Sequence, residues 1–162
     1  MRIKKVRNRK NKMITTQQIK ELREETGLSI MQCQKALEEA GGDKVKALAI
    51  LKEKGAAIAA KKAGRNLGAG VVSSYIHSGD SVGAMVELLC ETDFVAKNPE
   101  FKQIARDIAM HIAAMNPVDI GELLEQPFIK DSSTTIGSMV NGTVQKFGER
   151  TEIGQFTRFS IN

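Results

Sequence analysis

The spacing of apolar positions changes character near residue 70. Before it, apolar residues recur at helical intervals. Ile19, Leu22 and Arg23 share one face of a helix predicted from about Thr16 to Thr26, with Thr15 or Thr16 as its cap. Gly27, able to take positive φ, stops it. Ser29 caps a second helix with Ile30, Cys33, Ala36 and Leu37 on one stripe, and Gly41-Gly42 breaks it. Asp43 opens a third, with Val45, Ala47, Leu48 and Leu51 as its apolar residues, and Gly55 is expected to end it. Three short helices joined by glycine turns make a compact bundle over residues 13–55. It is too small to hold a large core, so docking suits it better than catalysis. Residues 56–68, rich in Ala and Lys, read as a linker whose cations Lys61, Lys62 and Arg65 form a solvated face or touch phosphate.

Beyond residue 70 the period falls to two. Val71–His77 is rich in β-branched residues, and Ser78-Gly79-Asp80-Ser81 makes a turn. Val82, Ala84, Val86, Leu88 and Cys90 then alternate on one face, which predicts a hairpin. Asn98 caps and Pro99 opens a helix to about Met115, striped by Phe101, Ile104, Ala105, Ile108 and Ile112, and Asn116-Pro117 ends it. A short helical turn is expected within 118–132. A helix follows over Thr134–Gly148, weakened by Gly137 and Gly142, and then a third strand over Glu152–Ile161 with Ile153, Phe156 and Phe159. The fold class is α+β: an N-terminal three-helix domain, then a small three-stranded antiparallel sheet covered by helices over residues 69–162.

Composition narrows the function classes. With 41% hydrophobic and 27% charged residues, the chain has the profile of a globular protein, and no apolar run approaches the roughly 20 residues that cross a bilayer. The formal charge of +5 misleads, because seven basic residues and no acidic one fall in residues 1–12. Removing these seven from the 24 basic residues leaves fewer than the 19 acidic ones, so residues 13–162 have no bias toward nucleic acid. Residues 1–12 read as a disordered basic arm, an upstream start or solvated extension first and, as the alternative, a weak contact for RNA or anionic surfaces. Cys33 and Cys90 read as small buried hydrophobes. Two Cys and two His without close spacing give no metal signature, and no cofactor is implied. Near the hairpin, Asp93, His77 and Cys90 show no nucleophile–base–orienter pattern, and His111 reads as a structural or surface histidine.

The candidate functional segment is Thr92-Asp93-Phe94-Val95, in the junction between the second strand and the Pro99 helix. A rigid sheet and helix hold such a junction, so binding residues gather there. Composition leaves two readings open. Either Phe94 is core and Asp93 caps a turn, or the pair is an exposed apolar anchor beside a charge.

The string Glu91-Thr92-Asp93-Phe94-Val95-Ala96-Lys97-Asn98 resembles the signature of the elongation factor Ts family. So do Leu22-Arg23, Thr26-Gly27, Met31, Cys33, Ala36-Leu37, Gly42-Asp43, Gly55 and Lys61-Lys62-Ala63 upstream. Downstream the resemblance continues through Ala109–Ala114, Leu124-Glu125-Gln126-Pro127-Phe128, Gly148-Glu149 and Phe156-Thr157-Arg158-Phe159, and it covers essentially all of residues 13–162. The resemblance implies a non-catalytic guanine-nucleotide exchange factor of translation elongation that binds elongation factor Tu in its GDP state. It implies a ubiquitin-associated-like N-terminal domain that meets the partner through Arg23, Ile30 and Met31. It also implies a Thr92–Val95 loop that disturbs the magnesium and phosphate site, and a second contact at His77. The expected location is the bacterial cytoplasm or an organelle matrix, with no membrane contact.

Three departures from the family pattern stand out. Ala69 occupies a position that is usually acidic. The stretch from Pro117 to Leu123 is short where relatives carry a long helical insertion. A single α+β unit stands where longer members have two, which makes a homodimer an expectation. The rival readings are an RNA-associated protein, an enzyme, and a ubiquitin-like binding module over residues 13–55. They meet a near-neutral body, an absent catalytic pattern and a remainder left without a role, respectively.

Overall fold

The computed structural model describes residues 14–161, so the basic extension over residues 1–12 lies outside the described residues. The chain divides into two compact units between Leu51 and Lys52.

The first unit is helical. Helix α1 (Thr16–Thr26) begins in a capping box in which Thr15 and Gln18 satisfy each other's backbone N–H, and α2 (Ile30–Glu39) repeats the device with Ser29 and Gln32. Gly27 closes α1 at φ 66°, a conformation that costs a residue without Cβ little. Helix α3 (Lys44–Lys62) starts here, with the Asp43 carboxylate accepting from the Lys46 N–H at 3.1 Å. Leu22, Leu28, Cys33, Ala36, Leu37, Ala47 and Leu51 form the core. Ile30 belongs to the apolar pattern of α2 but not to this core: it is 55% exposed, and Met31 beside it is 65% exposed. Val45 is likewise outside.

Helix α3 corrects the expectation that Gly55 ends the third helix: the helix runs on to Lys62, through most of the segment read as a linker. Glycine costs a helix only about 1 kcal/mol relative to alanine, and the Ala- and Lys-rich segment after it favours helix. A Cβ at Gly55 would stand 2.9 Å from Gln145 Oε1, so the glycine permits close approach and does not act as a stop. Lys62 donates to the Gly148 carbonyl at 2.7 Å, and Arg65 pairs with Glu91 at 3.3 Å. Two of the three cations of this stretch are therefore engaged within the protein.

The second unit is built on an antiparallel sheet ordered β1 (Ala69–Ile76), β2 (Val82–Cys90), β5 (Thr151–Ser160). The even residues Ala84, Val86, Leu88 and Cys90 of β2 are buried, as strict alternation requires. Between β2 and β5 come α4 (Asp93–Ala96), α5 (Pro99–Met115), α6 (Ile120–Glu125), the small hairpin β3 (Pro127–Phe128) and β4 (Asp131–Thr135), and α7 (Ile136–Phe147). Helix α5 lays Phe101, Ala105, Ile108 and Ile112 on the sheet, and Phe101 meets Phe147 edge-on at 6.0 Å. The β3–β4 hairpin corrects the expectation that the helix begins at Thr134. Thr134 and Thr135 are β-branched and extended, and the Thr135 hydroxyl caps α7 by accepting from the Ser138 N–H at 3.1 Å.

Strand β5 bulges. Val86 stands opposite Phe156 and Leu88 opposite Ile153, so one residue of β2 faces two of β5. The bulge reverses the parity of β5, which lets both Ile153 and Phe156 pack on the helices. Phe159, expected among the strand's apolar packing residues, falls on the opposite face and is 71% exposed. It shares a row with Gly83 and Ile76, and Gly83 leaves room for Ile76, whose Cδ1 would be 2.5 Å from a Cβ there.

Candidate functional site

The Thr92–Asn98 segment leaves the sheet at the end of β2 and forms one helical turn, α4, where the sequence pattern suggested an irregular loop. Four residues are too short to show a period, but their burial shows the turn clearly. Val95 and Ala96 are buried in the core, whereas Phe94 is 84% exposed and Asp93 stands beside it, paired with Lys97 at 3.3 Å. Val95 thus anchors the turn and Phe94 projects from it. An ion pair as exposed as Asp93–Lys97 adds little stability.

The base of the turn is clamped from β5's side. Glu149, in the αL-ended connection after α7, accepts from the Glu91 N–H at 3.1 Å, the Thr92 N–H at 3.0 Å and the Thr92 hydroxyl at 2.6 Å. In return the Glu91 carboxylate accepts from the Arg150 N–H at 2.6 Å. That bond first, and then the Arg65 guanidinium, holds the Glu91 carboxyl below its ordinary pKa. Arg150 also donates to the Arg65 carbonyl and to Glu152. The Cys90 thiol donates to the Thr92 carbonyl at 3.3 Å, and burial followed by the Glu149 charge raises its pKa, so it stays a thiol. On the far side, Asn98 accepts from the Glu100 N–H at 2.9 Å and Pro99 opens α5. An exposed phenyl ring therefore stands on backbone fixed at both ends. No local signal in the sequence marks Glu149 for this role, because its partners lie nearly sixty residues away.

The remaining candidate residues are dispersed. His77 is exposed at the tip of the β1–β2 hairpin, with its Nδ1 3.2 Å from the Tyr75 hydroxyl. Val82 to Cys90 spans about 26 Å at the usual strand rise, so His77 and Phe94 flank opposite ends of the sheet. In the first unit, Arg23 is exposed on α1, and Ile30 and Met31 are exposed in the first turn of α2.

His111 is fully buried. It accepts the Ile129 N–H at Nδ1 (3.3 Å), and its Nε2 lies 2.9 Å from Gln126 Oε1. Gln126 in turn donates to Glu122 at 3.1 Å, which fixes its amide orientation and makes His111 the neutral Nε2–H tautomer. Burial lowers its pKa, and the Gln126 bond opposes that shift in part. The Gln126-Pro127-Phe128 motif thus ties β3 to α5. Arg158 does the same for β5, its Nε donating to the Ala113 carbonyl at 3.0 Å. Among the described residues no group of His, Cys, Asp and Glu is placed to hold a metal ion, and no helix is long and apolar enough to cross a membrane.

The elongation factor TS family model matches residues 3–122 of the chain. The elongation factor Ts of Carboxydothermus hydrogenoformans is 42% identical over 194 residues, covering 92% of this chain and 89% of that protein. The proteins of the same name from Thermodesulfovibrio yellowstonii (42% identical, 91% of this chain, 96% of that protein) and Desulforamulus reducens (40%, 91% and 89%) are comparably similar. These alignments run over more positions than the 162 residues of this chain, so the relatives hold residues that it lacks. On the family match and these identities together, the chain belongs to the elongation factor Ts family.

Proposed function

We propose that the chain is a guanine-nucleotide exchange factor of translation elongation, binding elongation factor Tu in its GDP state and acting by binding alone. The observation that carries this reading is Phe94, 84% exposed on a turn fixed at both ends, in a chain of this family. The Asp93-Phe94 pair is the wedge that disturbs the magnesium and phosphate site, with Thr92 and Val95 holding it in place. A partner that binds the nucleotide-free GTPase more tightly than the GDP form must weaken GDP by the same factor. Each tenfold loss of GDP affinity requires about 1.4 kcal/mol of such preference. Apolar burial of a phenyl ring, worth roughly 1.5–3 kcal/mol, is of that order.

The helical first unit, read as ubiquitin-associated-like, docks on the partner through Arg23, Ile30 and Met31, and His77 makes a second contact. The location that follows is the bacterial cytoplasm or an organelle matrix. The test is release of a fluorescent GDP analogue from elongation factor Tu. Sub-stoichiometric chain accelerates it, and an unchanged rate with stoichiometric chain refutes the reading.

The face of the sheet turned away from the helices supports a homodimer. Ile76, Met85 and Phe159 are exposed there, and nothing covers them among the described residues. A second copy seated on that face buries these side chains and completes the surface that a single α+β unit leaves open. Light scattering at micromolar concentration is expected to give twice the monomer mass, and Phe159→Glu to return it to monomer. A wild-type chain that scatters as a monomer while exchange persists ends this idea.

A further inference from the structure

The sheet ends on one side at β1, whose outer edge no described strand covers. His77 donates its N–H to the Val82 carbonyl at 2.8 Å, and the register that pairs Ile76 with Gly83 sets His77 opposite Val82. Bonded and non-bonded positions alternate along an antiparallel pair. The odd residues of β1 therefore bond to β2, and the N–H and C=O groups of Gly70, Val72, Ser74 and Ile76 face outward. Eight residues long, β1 has no Lys, no Pro and no charge to protect this edge. The opposite edge is protected: β5 carries a bulge and the charges of Glu152 and Arg158.

Beside the Val71–Ser73 stretch of β1 lies a groove of about 440 Å³, walled on its other side by Pro99, Lys102, Gln103 and Arg106 of α5. A groove between a strand edge and a helix is the setting in which extended peptides add as a further strand. Its charge is uncompensated. Glu100 and Asp107, the acidic residues of α5, are taken by Lys146 and Lys130. Lys102 and Arg106 are exposed, and their side chains have no partner among the described residues. One turn of helix separates the two cations, about 6 Å along the axis. Alternate residues of a strand lie about 6.8 Å apart, so carboxylates at positions i and i+2 of an added strand match that spacing.

We propose that this groove binds an acidic extended peptide of another protein, which joins the sheet beside β1 and sets alternate carboxylates on Lys102 and Arg106. Charge selects this occupant. The chain's own residues 1–12 are basic, and a second copy paired edge to edge would oppose two Lys102–Arg106 pairs. The proposal does not depend on nucleotide exchange, and a binding measurement tests it on the full chain alone.

The probe is a fluorescein-labelled, acetylated heptapeptide alternating valine and glutamate, with a valine–lysine peptide as control. Saturable anisotropy is expected for the glutamate peptide only, with amide shifts in NMR spectra concentrated at Gly70, Val72 and Ser74. The double variant Lys102→Glu, Arg106→Glu is expected to weaken binding at least tenfold. Val72→Pro removes an outward N–H only, a change that edge strands tolerate, and is expected to do the same with its circular dichroism unchanged. If that variant fails to fold, the amide shifts decide alone. No binding at millimolar peptide, or amide shifts elsewhere, overturns the proposal. So does loss on charge reversal with full retention in folded Val72→Pro. That pattern marks two cations that attract any anion, inorganic polyphosphate included, with no strand added.

Discussion

Phe94→Ala is expected to lower stimulated GDP release by roughly ten- to a hundredfold and to leave the fold intact. The ring is 84% exposed, so its removal takes almost nothing from the core, and surface substitutions of this kind change stability by about 0.5 kcal/mol or less. In the proposed complex with elongation factor Tu the same ring is covered. Apolar burial of about 1.5–3 kcal/mol, at about 1.4 kcal/mol per decade, gives the stated range. On the proposed wedge role, only binding to the state that releases GDP is sensitive to it, so the loss is expected in the plateau of the release rate against concentration as well as in affinity. Phe94→Leu, which keeps most of the apolar area, falls in between. Asp93→Asn removes a charge whose pairing with Lys97 is solvent-exposed, so any change in rate belongs to the complex and not to the fold. Unaltered release with Phe94→Ala at matched concentration would remove the wedge from the mechanism and leave docking elsewhere to explain exchange.

How much of this could be read beforehand follows from the range of each interaction. Local signals are legible: Ser29, Asp43 and Asn98 cap the helices they are expected to cap, and Thr15, one of the two residues expected for α1, caps that helix, because a cap needs only the next three residues. The β2 alternation is legible for the same reason. Signals that depend on distant partners are not. Gly55 looks like a helix stop until Gln145 is seen packed against it. Phe159 has the alternation of a packing residue until the bulge at Gly154-Gln155 reverses its parity. At the site, the order Asp93-Phe94-Val95-Ala96 does not reveal which side chain faces out, since a single turn gives no period. The exposure of Phe94 and the burial of Val95 depend on where Glu149 and the end of β2 hold the turn.

That dependence makes Glu149 the position where a substitution should reach both fold and function. Its carboxylate serves three donors at the entrance to α4, and two of them are backbone N–H groups with no other partner in the segment. Glu149→Ala leaves those groups to water or unpaired. Charge-assisted bonds of this type are each worth about 1.5–3 kcal/mol when shielded, and less here because Thr92 is exposed. A loss of about 2 kcal/mol is expected, which for a chain of this size lowers the melting temperature by roughly 4–8 °C. Glu149→Gln separates shape from charge. Its carbonyl oxygen accepts both N–H groups, and its amide donates to the Thr92 hydroxyl, which turns to accept. The glutamine variant should therefore keep most of the stability and most of the exchange activity. The alanine variant should lose activity below its melting temperature, because the Thr92–Phe94 turn no longer holds one orientation. Hydrogen exchange at the Thr92 amide reports this directly: protected in the wild type and in Glu149→Gln, unprotected in Glu149→Ala. Wild-type protection and GDP release in the alanine variant would show that Val95 and the Asn98-Pro99 start of α5 hold the turn without the clamp.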